Sequence, residues 1–260
     1  MIEISKKITT NVGRTNAQFG LIKENDRIMI GFSGGKDSLT LLHTLNRMQK
    51  KAPFKFDFKA VTITYGMGEQ IEFLSNHCKE HGIEHEIIDT QIFDLAGEKI
   101  RKNSSFCSFF SRMRRGYLYT TALEQGYNKV ALGHHLDDAM ESYFMNLFYN
   151  GTMRTMPPIY KASNGLEVIR PLIFCRERQL RAFADSNEIR VIGDEACPGL
   201  RFHVKMPHAR ATTKELLAKL EEQNPKIFVS MKAAFSNIQL PTFFYKDLKD
   251  IKLNIEDETI

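Results

Sequence analysis

Apolar positions along this chain follow two alternating rhythms. Short runs of aliphatic and β-branched residues are each followed by a longer stretch in which apolar positions return every three or four residues. Residues 3–22, with Ile8, Val12 and Phe19 on a loosely helical spacing, predict an N-terminal helix. Residues 26–32 (Asp-Arg-Ile-Met-Ile-Gly-Phe) form a run that stops at Ser-Gly-Gly, and their length and β-branching predict a buried strand. Leu39, Leu42, Leu45 and Met48 then predict a helix over 38–49. The alternation repeats, with strands over 58–64, 85–89, 129–133 and 167–171 and helices over 69–82, 108–125 and 135–149. Strands alternating with helices imply right-handed βαβ units and a Rossmann-like α/β fold, its parallel sheet covered on both faces. From about Arg176 the strands give out, which predicts an α/β domain over 1–175 and a mainly helical C-terminal extension, 176–260, packed on it.

Composition narrows the class without naming a function. The 260 residues are 42% hydrophobic, enough for one substantial core with a smaller addition. No apolar run approaches the roughly 20 residues of a membrane span. Met1 to Lys7 contain no apolar stretch leading to a small-residue cleavage site, so the cytoplasm is the expected compartment and no membrane partner is expected. Cys78, Cys107, Cys175 and Cys197 are too scattered for a disulfide framework and suit a reducing compartment. A net charge of +5 permits a polyanionic partner without requiring one.

The chemistry concentrates where strands end. After the first strand comes Ser33-Gly34-Gly35-Lys36-Asp37-Ser38. Two glycines let backbone amides approach a phosphate, and the following helix adds free N–H groups and its positive end. Ser33 and Ser38 offer hydroxyls, Lys36 a charge, and Asp37 a ligand for Mg²⁺. The run is not a Walker A loop, because Asp37 follows Lys36 and Ile30 stands where an earlier glycine is required. A second motif, Gly133-His134-His135-Leu136-Asp137-Asp138, follows the fourth strand at the same sheet edge, with Asp138 a further Mg²⁺ candidate. Behind it Met140, Phe144, Leu147 and Phe148 predict one apolar helix face. Simple capping by an aspartate is the plain alternative for this motif, and adjacent histidines make a poor metal chelate.

Ser-Gly-Gly-x-Asp-Ser resembles the signature of the PP-loop ATP pyrophosphatases. That resemblance implies cleavage of ATP between the α- and β-phosphates, an adenylated substrate and release of pyrophosphate. The wider context is similar to the tRNA 2-thiocytidine biosynthesis family, through Cys107-Ser108, Ser111-Arg112-Met113-Arg114-Arg115-Gly116, Ala131–His135, Asn146–Tyr149, Met156-Pro157-Pro158, Ile169-Arg170-Pro171-Leu172 and Cys175-Arg176-Glu177. It runs from about residue 3 to 237 and implies adenylation of an anticodon-loop cytidine. Sulfur would then displace AMP with the help of an iron–sulfur cluster held by three cysteines. The catalytic set implied is Asp37, Lys36, Cys107 and Cys197, and the nucleotide set is Ser33–Ser38 with Gly133, His134, His135 and Asp138.

The cysteines depart from that pattern. Phe110 and Leu200 replace the second cysteine of each Cys-x-x-Cys, leaving Cys107 and Cys197 of three implied cluster ligands. Phenylalanine cannot bind iron, and cubane clusters need thiolates at nearly every corner. Phe110, Met113 and Tyr117 instead predict an apolar helical stripe. Without a cluster, Cys107 and Cys197 could act as persulfide carrier and resolving thiol, fed by a donor such as a cysteine desulfurase. Buried, unreactive cysteines are the plain expectation for Cys78 and Cys175. Arg112, Arg114 and Arg115, with Lys99, Arg101 and Lys102 just upstream, form one basic group that suits tRNA phosphates. Arg176, Arg178 and Arg181 form a second and Lys205, His208 and Arg210 a third, Arg170 is a further RNA candidate, and a solvated helix face is the plain alternative for any one group. No RNA-binding appendage is visible, so a tRNA grip must come from the main domain, the C-terminal helices or a second subunit in a homodimer. Three classes follow: a tRNA sulfurtransferase, a PP-loop ligase with another nucleophile (lysidine synthetase is the tRNA-directed example), and a non-catalytic ATP-binding module.

Overall fold

The computed structural model describes residues 2–99, 106–193 and 208–243. Among the described residues six strands are interleaved with helices, the last two strands alone following one another directly: α1 (Lys6–Phe19), β1 (Arg27–Gly31), α2 (Lys36–Lys51), β2 (Asp57–Ile63), α3 (Glu72–Glu80) and β3 (His85–Ile88). Then come α4 (Ile92–Lys99), α5 (Phe106–Glu124), β4 (Lys129–Ala131), α6 (Leu136–Asn150), β5 (Ile159–Lys161) and β6 (Glu167–Ile169). The helices α7 (Glu177–Ser186), α8 (His208–Gln223) and α9 (Ile227–Ala234) follow.

The strands form one sheet in the order β3-β2-β1-β4-β6-β5. All pairs are parallel except β5 with β6, where Tyr160 sits opposite Val168 in an antiparallel register. The wholly parallel sheet expected from the sequence is therefore corrected by one antiparallel edge strand. In β1, Ile28, Met29 and Ile30 are all fully buried, as a central parallel strand covered on both faces must be. Ile28 and Ile30 join Leu39, Leu42 and Leu74 on one face, while Met29 joins Val61, Val130 and Val168 on the other. Burying each such side chain contributes about 1.5–3 kcal/mol, which fixes β1 as the axis of the fold.

From β1 the sheet grows one way through β2 and β3, and from β4 the other way through β6. The reversal lies between β1 and β4, and ligands of open α/β sheets sit beyond the strand ends at such a switch point. Both candidate motifs occupy it. Two compact units are present, Met1–Leu216 and Leu217–Ile260. The division does not follow residue 175, because α7 packs against α2 inside the first unit. The expected apolar face of α6 is buried only at Met140, with Phe144 half-buried, while Leu147 and Phe148 are 37% and 53% exposed. Among the described residues no helix is long and apolar enough to cross a membrane.

Candidate active site

β1 delivers the Ser33–Ser38 loop to the carboxyl edge of the sheet. Gly34 has φ of +78°, and a Cβ there would lie 2.7 Å from Ile192 Cδ1, so the position demands glycine. The Ile192 N–H donates to Gly34 O at 2.8 Å and fastens the segment after α7 across the loop. α2 starts at Lys36 with no side chain capping it, which leaves first-turn amides for an anion. Ser33 Oγ donates to Ser38 Oγ at 3.2 Å, and Ser38 Oγ donates to Gly35 O at 3.0 Å.

Asp37 is the least satisfied group of the loop. Its Oδ1 is buried and accepts no hydrogen bond, although Lys36 Nζ lies 3.3 Å away. Burial pushes the Asp37 carboxyl above its ordinary pKa, against the charges of His135 and Lys36. An orphaned carboxylate oxygen is costly to bury, and a hard divalent cation is its natural partner. Asp37 therefore fits the Mg²⁺ that an ATP site implies. Lys36 Nζ also lies 3.3 Å from Glu177 Oε1. Burial opposes the Lys36 ammonium, but the carboxylates of Asp37 and Glu177 outweigh it and raise its pKa.

The second motif closes onto the first. A Cβ on Gly133 would lie 3.1 Å from the backbone C of Asp37 and N of Ser38, so β4's turn and α2's first turn touch backbone to backbone. His135 caps α6, its Nδ1 accepting the Asp138 N–H at 3.4 Å while Asp138 Oδ2 accepts the His135 N–H at 3.1 Å. Asp138 Oδ1 accepts from Arg210 Nη2 at 2.6 Å, and Arg210 Nε donates to Glu141 Oε2 at 2.7 Å. Both Asp138 oxygens are thus engaged within the protein, whereas Asp37 Oδ1 is not. Asp137 accepts the Glu177 N–H at 2.7 Å and pairs with Arg176 Nη2 at 3.0 Å, tying α6 to α7. His134 Nδ1 accepts from Arg170 Nε at 3.3 Å, and burial together with the Arg170 charge holds this imidazole at a pKa of about 4. Arg170 itself is 5% exposed, donates to Pro157 O at 2.7 Å and lies over the Tyr160 ring. It braces the β4 loop from within, which corrects its expected place among the RNA contacts.

A cleft runs from the loop along the carboxyl end of β2, lined by Ser33, Gly35, Thr64, Tyr65, Glu69 and Arg114 among others. Glu69 accepts the Tyr65 and Met67 amides, which shapes the loop after β2. Thr64, Tyr65 and Glu69 line this cleft and Glu177 pairs with Lys36, and of these four Glu69 carries no signal in the sequence.

The PP-loop domain model matches residues 4–204. A tRNA-cytidine(32) 2-sulfurtransferase of Geobacter metallireducens is 44% identical over 236 residues, 90% of either chain. The enzyme of that name from Pseudomonas syringae pv. syringae is 37% identical and covers 99% of this chain and 93% of its own. This chain belongs to the tRNA-cytidine(32) 2-sulfurtransferase family of PP-loop enzymes. Among solved structures, the U34-tRNA thiolase NcsA of Methanococcus maripaludis, with its [4Fe-4S] cluster, superposes at a TM-score of 0.71. It is 24% identical and covers 89% of this chain and 77% of that one, a likeness of fold.

Position 110 is one at which the resemblance to the thiocytidine family implied a cluster cysteine. Phe110 is 3% exposed, with its ring centroid 5.5 Å from those of Tyr65 and Phe109 and 6.3 Å from that of Phe93. Met113 and Tyr117 pack on the same cluster, the stripe that the spacing predicted. A core ring stands where a third thiolate is needed, so these residues do not fit a three-cysteine cluster. The Cys107 backbone belongs to α5, but its side chain lies outside the described residues, as do Cys197 and Leu200. Cys78 and Cys175 are fully buried, and burial pushes each thiol up to about 12, leaving both unreactive as expected. Arg112 and Arg115 are exposed on α5, whereas Arg114 donates to the Tyr65 hydroxyl at 2.9 Å and faces the cleft. Arg101, Lys102, Lys205 and the side chains of Lys99 and His208 lie outside the described residues.

Proposed function

We propose that this enzyme makes 2-thiocytidine in tRNA, at the position 32 named for its relatives, by adenylating the base with ATP before sulfur enters. The observation that carries the reading is the backbone contact of Gly133 with Asp37 and Ser38, which joins both motifs around Asp37 Oδ1, the one buried carboxylate oxygen among the described residues that accepts no hydrogen bond. Cytosine O2 attacks the α-phosphorus, the bond to the β-phosphate oxygen breaks, and pyrophosphate leaves into the Ser33–Ser38 loop. Its charge is met by the first-turn amides of α2, the hydroxyls of Ser33 and Ser38, and Lys36. Mg²⁺ on Asp37 would neutralise phosphate charge during the displacement. The cleft at the end of β2 suits the nucleoside half of ATP.

Arg112 and Arg115 offer exposed cations to the tRNA backbone, the C-terminal helices or a second subunit supplying the rest of the grip. For sulfur delivery, Cys107 and Cys197 are the thiols left: one carries a persulfide from a cysteine-desulfurase type of donor, its outer sulfur attacks cytosine C2 and AMP leaves. The second thiol then attacks the inner sulfur, forming a disulfide that an external dithiol reductant reopens. No step is assigned to an iron–sulfur cluster. A ligase with another nucleophile is not favoured, since the sulfurtransferase relatives match nearly the whole chain. Mass spectrometry of tRNA nucleosides from a deletion strain tests the proposal. Loss of 2-thiocytidine, restored by the wild-type gene, is expected, whereas an unchanged thiolated pool with a different nucleoside missing would contradict it.

A further inference from the structure

Outside the ATP site, three histidines converge in the seam between α2 and α3. His43 lies on α2, two turns beyond Lys36, while His77 lies on α3 and His81 caps its end. His77 and His81 are four residues apart, the spacing at which a helix presents two imidazoles to one metal ion. One ring nitrogen from each of the three lies within 4.8 Å of the other two. His43 Nε2 and His77 Nε2 are 2.7 Å apart, so two nitrogens, and not a nitrogen and an anion, meet at the centre. The three ring centroids are separated by 4.7 to 5.0 Å, and the rings meet edge-on.

We propose that His43, His77 and His81 bind a divalent late transition-metal ion, zinc being the best fit, through one nitrogen each. Among the described residues no carboxylate belongs to the cluster, and an all-imidazole donor set suits zinc, copper or nickel while disfavouring magnesium. A Zn–N bond of about 2.0–2.1 Å in tetrahedral geometry sets ligand nitrogens about 3.3 Å apart. The His43–His77 pair needs to open by only roughly 0.6 Å to meet it. His43 is buried, whereas His77 and His81 are half-buried, which leaves an approach for a water as fourth ligand. Metal ligation requires neutral imidazole. The ion would clamp the helix that opens at the phosphate loop to α3, and Asp37 is not among its ligands. The proposal does not depend on which nucleoside is modified.

The test uses the full-length protein, stripped with a chelator and then titrated with zinc or cobalt(II). One zinc per chain by elemental analysis is expected, with cobalt bands typical of a tetrahedral nitrogen and oxygen site and no thiolate charge transfer. His81→Gln and, separately, His77→Gln each change a half-buried ring and should keep the wild-type melting temperature in chelator. Each should weaken zinc binding by at least about 100-fold, since loss even of an outer-shell partner costs 10–100-fold. Cys107→Ser/Cys197→Ser should bind zinc as the wild type does. Failure of the wild type to retain zinc, unchanged affinity in His81→Gln, or loss of binding in the cysteine double variant would each overturn the proposal.

Discussion

Gly133→Ala tests how tightly the two motifs must approach. The added methyl would sit 3.1 Å from Asp37 C and Ser38 N and 3.2 Å from Asp37 O. These are backbone atoms at the start of α2, so the contact cannot be relieved by a side-chain rotation. Either the β4 turn or the phosphate loop must withdraw by a few tenths of an ångström. Overpacking of this kind costs about 1–3 kcal/mol. For a unit of this size that amounts to a fall in melting temperature of about 2–4 °C per kcal/mol. The kinetic effect should be larger, because a misplacement of about 1 Å at a reacting centre can cost about 100-fold. A fall of about 10- to 100-fold in kcat/KM for tRNA-dependent pyrophosphate release is therefore expected. Gly13→Ala is the control: it lies within α1 with nothing within 4 Å of its Cβ, and should stabilise by about 0.5–1 kcal/mol. A Gly133→Ala enzyme with wild-type melting and wild-type turnover would refute the backbone-contact argument.

Three further predictions concern charge. Burial opposes the Glu177 carboxylate, yet Lys214 at 2.9 Å and Lys36 at 3.3 Å hold its pKa at about 2. Because the folded value is depressed, its stabilisation is complete above the ordinary 4.5 and is lost as pH falls through about 2. Wild type should out-melt Glu177→Gln at pH 7, with the gap closing towards pH 2, and a gap independent of pH would contradict the pairing. Arg112→Ala and Arg115→Ala should weaken tRNA binding and lower the log–log salt slope by roughly one each, measured by filter binding. Arg170→Ala should instead lower the melting temperature, and a pure binding defect there would show that its burial had been misjudged.

What was legible in the sequence is what local pattern dictates. A buried run ending in Ser33-Gly34-Gly35 announces a strand, a turn and a helix, because length, β-branching and glycine act over a few residues. The stripe of Phe110, Met113 and Tyr117 was legible for the same reason. β5 was not, since three residues on an edge carry no alternation to count. Nor were the partners of Asp138 and Glu177, which come from α8 and from α2 through contacts far apart in sequence. Arg170 reads like any surface cation, and only the carbonyl of Pro157 and the ring of Tyr160 reveal that it is a brace. Leu147 and Phe148 continue a helical apolar face beyond the length that the fold covers, so periodicity overstated their burial. The i, i+4 spacing of His77 and His81 is legible in the sequence, but the third ring, His43, comes from α2 and only the packing of the two helices brings it in.

The central claim is that the Ser33–Ser38 loop activates a tRNA base by splitting ATP between the α- and β-phosphates. ATP labelled in the γ position, incubated with unmodified tRNA and Mg²⁺, tests it most directly by separating labelled pyrophosphate from labelled phosphate. The account predicts pyrophosphate, dependent on tRNA, from the wild type and none from a folded Asp37→Ala variant. Labelled orthophosphate as the product, or undiminished pyrophosphate from Asp37→Ala, would contradict it.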